Sequence, residues 1–205
     1  MKNATALVSM SASFLEWAQS FAKRKNNKLN LIMPLSPPKN QFFDTNNKDI
    51  ANWWEAKVPS LSAIPTFSFI GTISEAFDFE IIKEVALLMN KNNKKCNFVI
   101  CGEGQEFEKT KRSFKDLKNT FFPGWINTQQ INYLMNISLA TLAPYKNESN
   151  FTDNLPNKIL DSLSFGKPII TSLKGEVEQL IKLKEVGLFC ENNPYSWYLT
   201  ILLLI

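Results

Sequence analysis

Apolar and polar positions follow a regular rhythm from Pro65 onward. Short apolar runs alternate with longer stretches whose apolar residues recur every three or four positions. The runs read as buried strands and the stretches as amphipathic helices. The pattern predicts strands over 66–70, 97–101, 120–122, 139–143, 168–171 and 187–189. Between them it predicts helices over 78–90, 105–115, 128–136, 157–165 and 176–183. Strict alternation of the two predicts an α/β fold, a Rossmann-like parallel sheet with helices on both faces.

The first 65 residues are less regular. Strands are expected over 4–9 and 29–33. Ser13 and Glu16 have capping-box spacing, so a helix is expected to open there with Phe14, Leu15, Ala18, Phe21 and Ala22 on its apolar side. Residues 34–38 read as a stiff, proline-rich linker. Residues 47–56 read as a helix whose Trp53 and Trp54 are expected to pack rather than bind sugar. The closing run, 197–205, is far shorter than the roughly 20 residues that span a bilayer. It reads as a core-facing helix without a stop signal, and the chain is expected to be truncated there.

Composition narrows the chemistry. A chain of 205 residues is one domain, or one domain and part of another. A net charge of +4 is a mild excess that gives no reason to expect a nucleic-acid partner. The absence of histidine excludes Ser-His-Asp and Cys-His catalysis within the chain, and also HExxH and Cys/His zinc sites. Cys96, Cys101 and Cys190 are widely spaced and read as reduced, buried thiols. No secretory signal is visible. A cytoplasmic protein is expected, with peripheral attachment at the inner membrane face as the alternative. The Asn/Lys clusters at 23–28, 46–48 and 91–95 read as solvated turns and helix ends.

One loop stands out. Residues 144–156 are polar, long, and leave the C-terminal end of a strand, where open α/β sheets place ligands. Asp153 lies in this loop and Asp161 in the helix that follows, with Asn154-Leu-Pro-Asn-Lys158 between them. Free N–H groups at that helix start, from Asn157 onward, attract phosphate, and Lys158 adds positive charge. A carboxylate on each side is suited to hydroxyl groups, so the arrangement fits a sugar nucleotide. Gly102-Glu-Gly104 is half of a dinucleotide fingerprint, and Phe107 at its last position breaks the match.

The segment Leu155-Pro-Asn-Lys-Ile-Leu-Asp161, running on to Gly166-Lys-Pro168, resembles the donor-site signature of the family-4 (group 1) retaining glycosyltransferases. Both glutamates of that signature are aspartate here, at Asp153 and Asp161. Phe69-Ile-Gly-Thr-Ile73, Phe98-Val-Ile-Cys-Gly-Glu-Gly104 and Phe122-Pro-Gly-Trp-Ile126 resemble three further family segments, in the same order. A flavodoxin-like regulatory domain shares the rhythm but does not account for four ordered motifs.

The resemblance implies the C-terminal half of a GT-B fold, with the active site in a cleft between two Rossmann-like domains. It implies an acceptor-domain remnant and linker over 1–40, a linker helix over 41–65 and a nucleotide-sugar donor domain over 66–205, truncated at both ends. Asp153 would contact the transferred sugar as the catalytic position, and Asp161 the ribose. Gly71, Thr72, Gly102, Gly104, Trp125, Ile126, Leu155, Pro156, Asn157 and Lys158 would form the rest of the donor site. Trp125 reads equally as a border to the base or a lid on the core.

The donor would be UDP- or GDP-linked, with no metal or other cofactor required, and the acceptor a saccharide or a lipid-linked sugar in polysaccharide or glycolipid assembly. The missing acceptor domain would come from the same gene or from another chain, and the isolated chain would be weakly active or inactive. The alternative is a nucleotide-sugar-binding remnant or subunit without catalysis. The family's diphosphate-clamping Arg and Lys are absent, Thr72 standing at the first of those positions.

Overall fold

The computed structural model describes residues 1–35 and 47–205. The linker expected over 34–38 lies largely outside those residues, as does the division at residues 40 and 41. A small parallel pair, β1 (Val8–Ser9) and β2 (Leu31–Ile32), is connected by α1 (Ala12–Phe21). After α2 (Lys48–Lys57) the main layer begins with β3 (Thr66–Ile70), α3 (Phe79–Lys91), β4 (Asn97–Cys101), α4 (Phe107–Ser113) and β5 (Thr120–Gly124). It continues with α5 (Thr128–Ile137), β6 (Ala140–Ala143), α6 (Ser149–Thr152), α7 (Asn157–Ser164), β7 (Ile169–Thr171), α8 (Glu176–Lys184), β8 (Gly187–Phe189) and α9 (Pro194–Leu202).

The six long-layer strands are all parallel, in the order β5-β4-β3-β6-β7-β8. The chain starts in the middle at β3, walks to one edge, then returns to lay β6 on β3's other side. That reversal makes the C-terminal ends of β3 and β6 a topological switch point, the crevice where such sheets bind ligands. The predicted α/β fold is the one found.

The inner strands are buried on both faces. On β4, Phe98 and Ile100 join a cluster with Phe67, Phe69, Ile82, Val85, Ile159 and Trp197. Val99 and Cys101, which point the opposite way, join Trp54, Val58, Leu61 and Leu134. Two cores therefore sandwich the sheet. Trp54 is fully buried and donates its Nε1 hydrogen to the Gln130 carbonyl at 3.2 Å, fastening α2 to α5. Trp53 packs edge-on against it, as expected of a packing pair.

Four local readings are corrected. The first helix is capped by Ser11, whose hydroxyl accepts from the Phe14 N–H, so the Ser13/Glu16 box does not form. Ser13 instead donates to the Glu176 carboxylate at 2.8 Å, a tertiary partner that local spacing could not reveal. Phe21 is 68% exposed and stacks on Trp17, also exposed, instead of facing the core. The first two strands shrink from 4–9 to Val8–Ser9 and from 29–33 to Leu31–Ile32, because their only pairing is this two-residue register. The loop 144–156 contains the one-turn helix α6, and its Phe151 packs 5.0 Å from Tyr145. The C-terminal run is core-facing as expected, with Trp197, Tyr198 and Ile201 buried, and its start is marked by the Asn193 cap and Pro194.

Candidate functional site

The strand ends on the β5-β4-β3 side are stitched by main chain. Gly71 N–H donates to the Cys101 carbonyl at 3.0 Å, Gly102 N–H to Gly124 at 2.8 Å, and Ile73 N–H to Glu103 at 2.9 Å. Glycine is required where these loops touch. A Cβ on Gly102 (φ +129°) would lie 1.9 Å from the Gly71 carbonyl oxygen, and one on Gly104 (φ +151°) 2.3 Å from that of Ile73. These glycines therefore have a structural role independent of any ligand. Thr72 is exposed on this platform.

On the other side, α7 starts at the switch point. Pro156 occupies its N-cap with no side-chain cap bond. The first N–H drawn back into the helix is that of Ile159, to the Pro156 carbonyl at 2.9 Å. The N–H groups of Asn157 and Lys158 lie ahead of it, the donors a phosphate would use. The helix is anchored from behind: buried Ser162 accepts from Thr141 of β6 at 2.8 Å and donates to the Lys158 carbonyl at 2.7 Å.

Lys158 links the two sides. Its Nζ donates to the Ile70 carbonyl at the end of β3 at 3.1 Å. It lies 5.2 Å from the Phe69 ring centroid and 5.5 Å from that of Phe77. It fills the space a side chain on Gly71 would take, since a Cβ there would lie 1.5 Å from the ammonium nitrogen. Burial lowers the Lys158 pKa, and the Asp161 carboxylate one turn along α7 partly restores it. Burial likewise raises the Asp161 pKa, with Lys158 pulling the other way.

An aromatic floor underlies this charged pair. Phe77 pairs with Tyr145 through an antiparallel bridge, their rings 4.5 Å apart, and Asp78 N–H donates to the Pro144 carbonyl at 2.7 Å. Tyr145 is buried, and its hydroxyl pKa is raised by burial and then by Asp161. Neither Phe77 nor Tyr145 carries a sequence signal for this role, because their pairing depends on two loops 68 positions apart.

The remaining residues separate by exposure. Leu155 packs against the core and Pro156 and Ile126 are buried, so only their main chain can meet a ligand. Asn157 is exposed, as is Asp161. Trp125 is 67% exposed, which excludes the lid reading and leaves it free to border a base. Asp153 is half-buried; its carboxylate accepts from Thr152 Oγ1 at 3.2 Å, and its carbonyl accepts from Ser11 Oγ. Glu176, an ordinary helix-start carboxylate by sequence, is held by Ser13 beside the same loop. The segment from β1 into α1 is thus tied to the loop that carries Asp153. Among the described residues, no group of three or more His, Cys, Asp or Glu is placed to hold a metal, and no helix is long and apolar enough to cross a membrane.

Solved structures share this fold. A glycosyltransferase from Rickettsia africae matches 96% of the chain with a TM-score of 0.70 at 15% identity, over 52% of its own length. TarM matches 97% with a TM-score of 0.67 at 14% identity, over 36% of its length. WaaG, a glycosyltransferase involved in lipopolysaccharide biosynthesis, matches 95% with a TM-score of 0.64 at 13% identity, over 52% of its length. At such identities the likeness is one of fold, and the chain spans about half or less of each relative. No curated protein matches it. Residues 59–202, well over half the chain and including β3 through α9, match the family described as Glycosyl transferases group 1. With that match spanning the glycine platform, the α7 start and both aspartates, the chain belongs to the group 1 glycosyl transferases.

Proposed function

We propose that the chain is the donor-binding half of a retaining, family-4 glycosyltransferase, with residues 66–205 forming the nucleotide-sugar domain of a GT-B enzyme. The observation that carries this reading is the meeting of Lys158 and the α7 start with Gly71 at the switch point. Breaking the bond between the sugar and its diphosphate leaves extra negative charge on the leaving group. Lys158 and the N–H groups of Asn157 and Lys158 are the donors placed to receive it, without a metal. Lys158 supplies, from α7, the cation that Thr72 lacks.

Asp161 holds the ribose hydroxyls, and Trp125 with the main chain of Ile126 borders the base. Thr72, Gly102 and Gly104 line the platform. Leu155 and Pro156 present main chain to the pyrophosphate and sugar, and Asp153 contacts the transferred sugar. The donor is UDP- or GDP-linked. The acceptor is a saccharide or lipid-linked sugar, bound by a domain to which the β1–α1–β2 unit belongs.

The S. aureus TarM structure in complex with UDP and alpha-GlcNAc-glycerol gives the class of ligand precedent in this fold. Thr72 also favours a second reading, a nucleotide-sugar-binding subunit without transfer. Transfer to an acceptor sugar in the presence of the partner domain separates the two.

Binding is tested by thermal unfolding with UDP, GDP, ADP and their sugars, alongside Asp161→Ala. A ligand at about 100 times its Kd stabilises by about 2.7 kcal/mol, a rise of roughly 5–11 °C for a chain of this size. The expected result is a rise with one nucleotide class, lost in Asp161→Ala. A sharp transition unmoved by every nucleotide overturns the reading.

A further inference from the structure

The end of the sheet opposite the donor crevice carries an open depression of about 370 Å³, at the N-terminal ends of β4 and β5. Apolar surface from residues such as Ile64 makes up most of its floor, and Lys94, Lys95, Lys118, Asn93, Asn97 and Asn119 stand around it. None of its lining residues is acidic. None of the three lysines makes an ion pair among the described residues. Three cations around one concavity repel one another and favour an anion between them.

The α3 carbonyls at this end are capped by local hydrogen bonds. Asn92 Nδ2 donates to Leu88 at 2.8 Å, Lys94 N–H to Met89 at 2.9 Å and Asn93 N–H to Asn90 at 3.1 Å. Asn119 is locked between Asn90 Nδ2 and the Ala86 carbonyl. Asn97, only 3% exposed, differs: its Nδ2 is buried and has no hydrogen-bond partner.

We propose that this depression binds a phosphate group, free or as a phosphomonoester headgroup, at a site separate from the donor crevice. The lysines supply charge-assisted donors around it. The 91–95 cluster is the exposed helix end and turn that its sequence suggests, and folding brings Lys118 from the β5 approach beside it.

The test titrates the intact chain with inorganic phosphate at constant ionic strength, and with phosphatidylcholine vesicles with or without phosphatidic acid. It compares wild type, the surface triple variant Lys94→Ala/Lys95→Ala/Lys118→Ala, and Lys158→Met as a donor-site control. Saturable binding of phosphate or of phosphatidic acid vesicles, weakened roughly tenfold or more in the triple variant and kept in Lys158→Met, is expected. Which of the two probes binds identifies the source of the phosphate. The proposal is overturned if neither saturates, if the triple variant binds like wild type, or if Lys158→Met alone abolishes binding.

Discussion

Replacing Lys158 with Met isolates the ammonium that the donor reading depends on. Met keeps an unbranched stem over Phe69 and Phe77 and removes Nζ, with its 3.1 Å bond to the Ile70 carbonyl. A hydrogen bond to a charged group contributes about 1.5–3 kcal/mol, so affinity for the nucleoside diphosphate should fall roughly 10- to 150-fold. Stability should change little, because the variant also removes a charge whose burial is unfavourable.

The pH dependence gives an independent readout. Burial depresses the folded pKa of Lys158 below its ordinary 10.5, so the unfolded chain binds more protons in the window between the two values. Stability due to this residue is complete above 10.5 and is lost as pH falls through the folded pKa. Diphosphate prefers the protonated amine, so wild-type affinity falls as pH rises through the same window, and Met removes that component. Titration of the ligand itself is common to both proteins. Calorimetric titration over this range measures both effects. Equal affinity and an identical pH profile in the two proteins would refute the role given to Lys158.

Gly102→Ala forces a Cβ to 1.9 Å from the Gly71 oxygen at φ +129°, whereas Gly166→Ala meets nothing within 4 Å at φ +63°. Strain and broken loop bonds should cost the first about 3–5 kcal/mol, against about 1 for the second, and melting temperatures report the gap. Thr141→Val removes the bond that anchors α7 through Ser162 and should lower Tm by about 2–4 °C, read by calorimetry. Burial pushes the Cys96 and Cys190 thiols up to about 12 and Cys101 higher still. All three should resist a thiol reagent until denaturant is added, followed by absorbance; rapid labelling of the native protein would contradict their burial.

Strands β3, β4 and β8 were legible to the residue, because inner parallel strands are continuous apolar runs bounded by turns and the last opens with Gly187 after the charged end of α8. The starts of α5 and α7 were legible from Asn127 and Pro156 at their caps. The opening helix was legible to within a residue, but its cap was not, because Ser13 has a partner 163 positions away in Glu176. Helix α6, at four residues, is too short to have a period. In the site, the motif around Lys158 was visible, but the contact of its Nζ with β3 was not. That contact depends on β6 lying beside β3, a consequence of topology and not of spacing. The Phe77–Tyr145 floor was hidden for the same reason.

The stitching of Gly71, Gly102 and Gly124 has an evolutionary consequence. Peptide groups are the same whatever side chain they carry, so a platform joined by them constrains few identities beyond Gly102 and Gly104. Exposed neighbours such as Thr72, Glu103 and Trp125 are left free to drift. A TM-score of 0.70 can then coexist with 15% identity. On the proposed donor-site reading, the same freedom makes those three positions the natural ones to randomise when seeking altered donor choice, since a library there varies the rim of the crevice and leaves its foundation untouched.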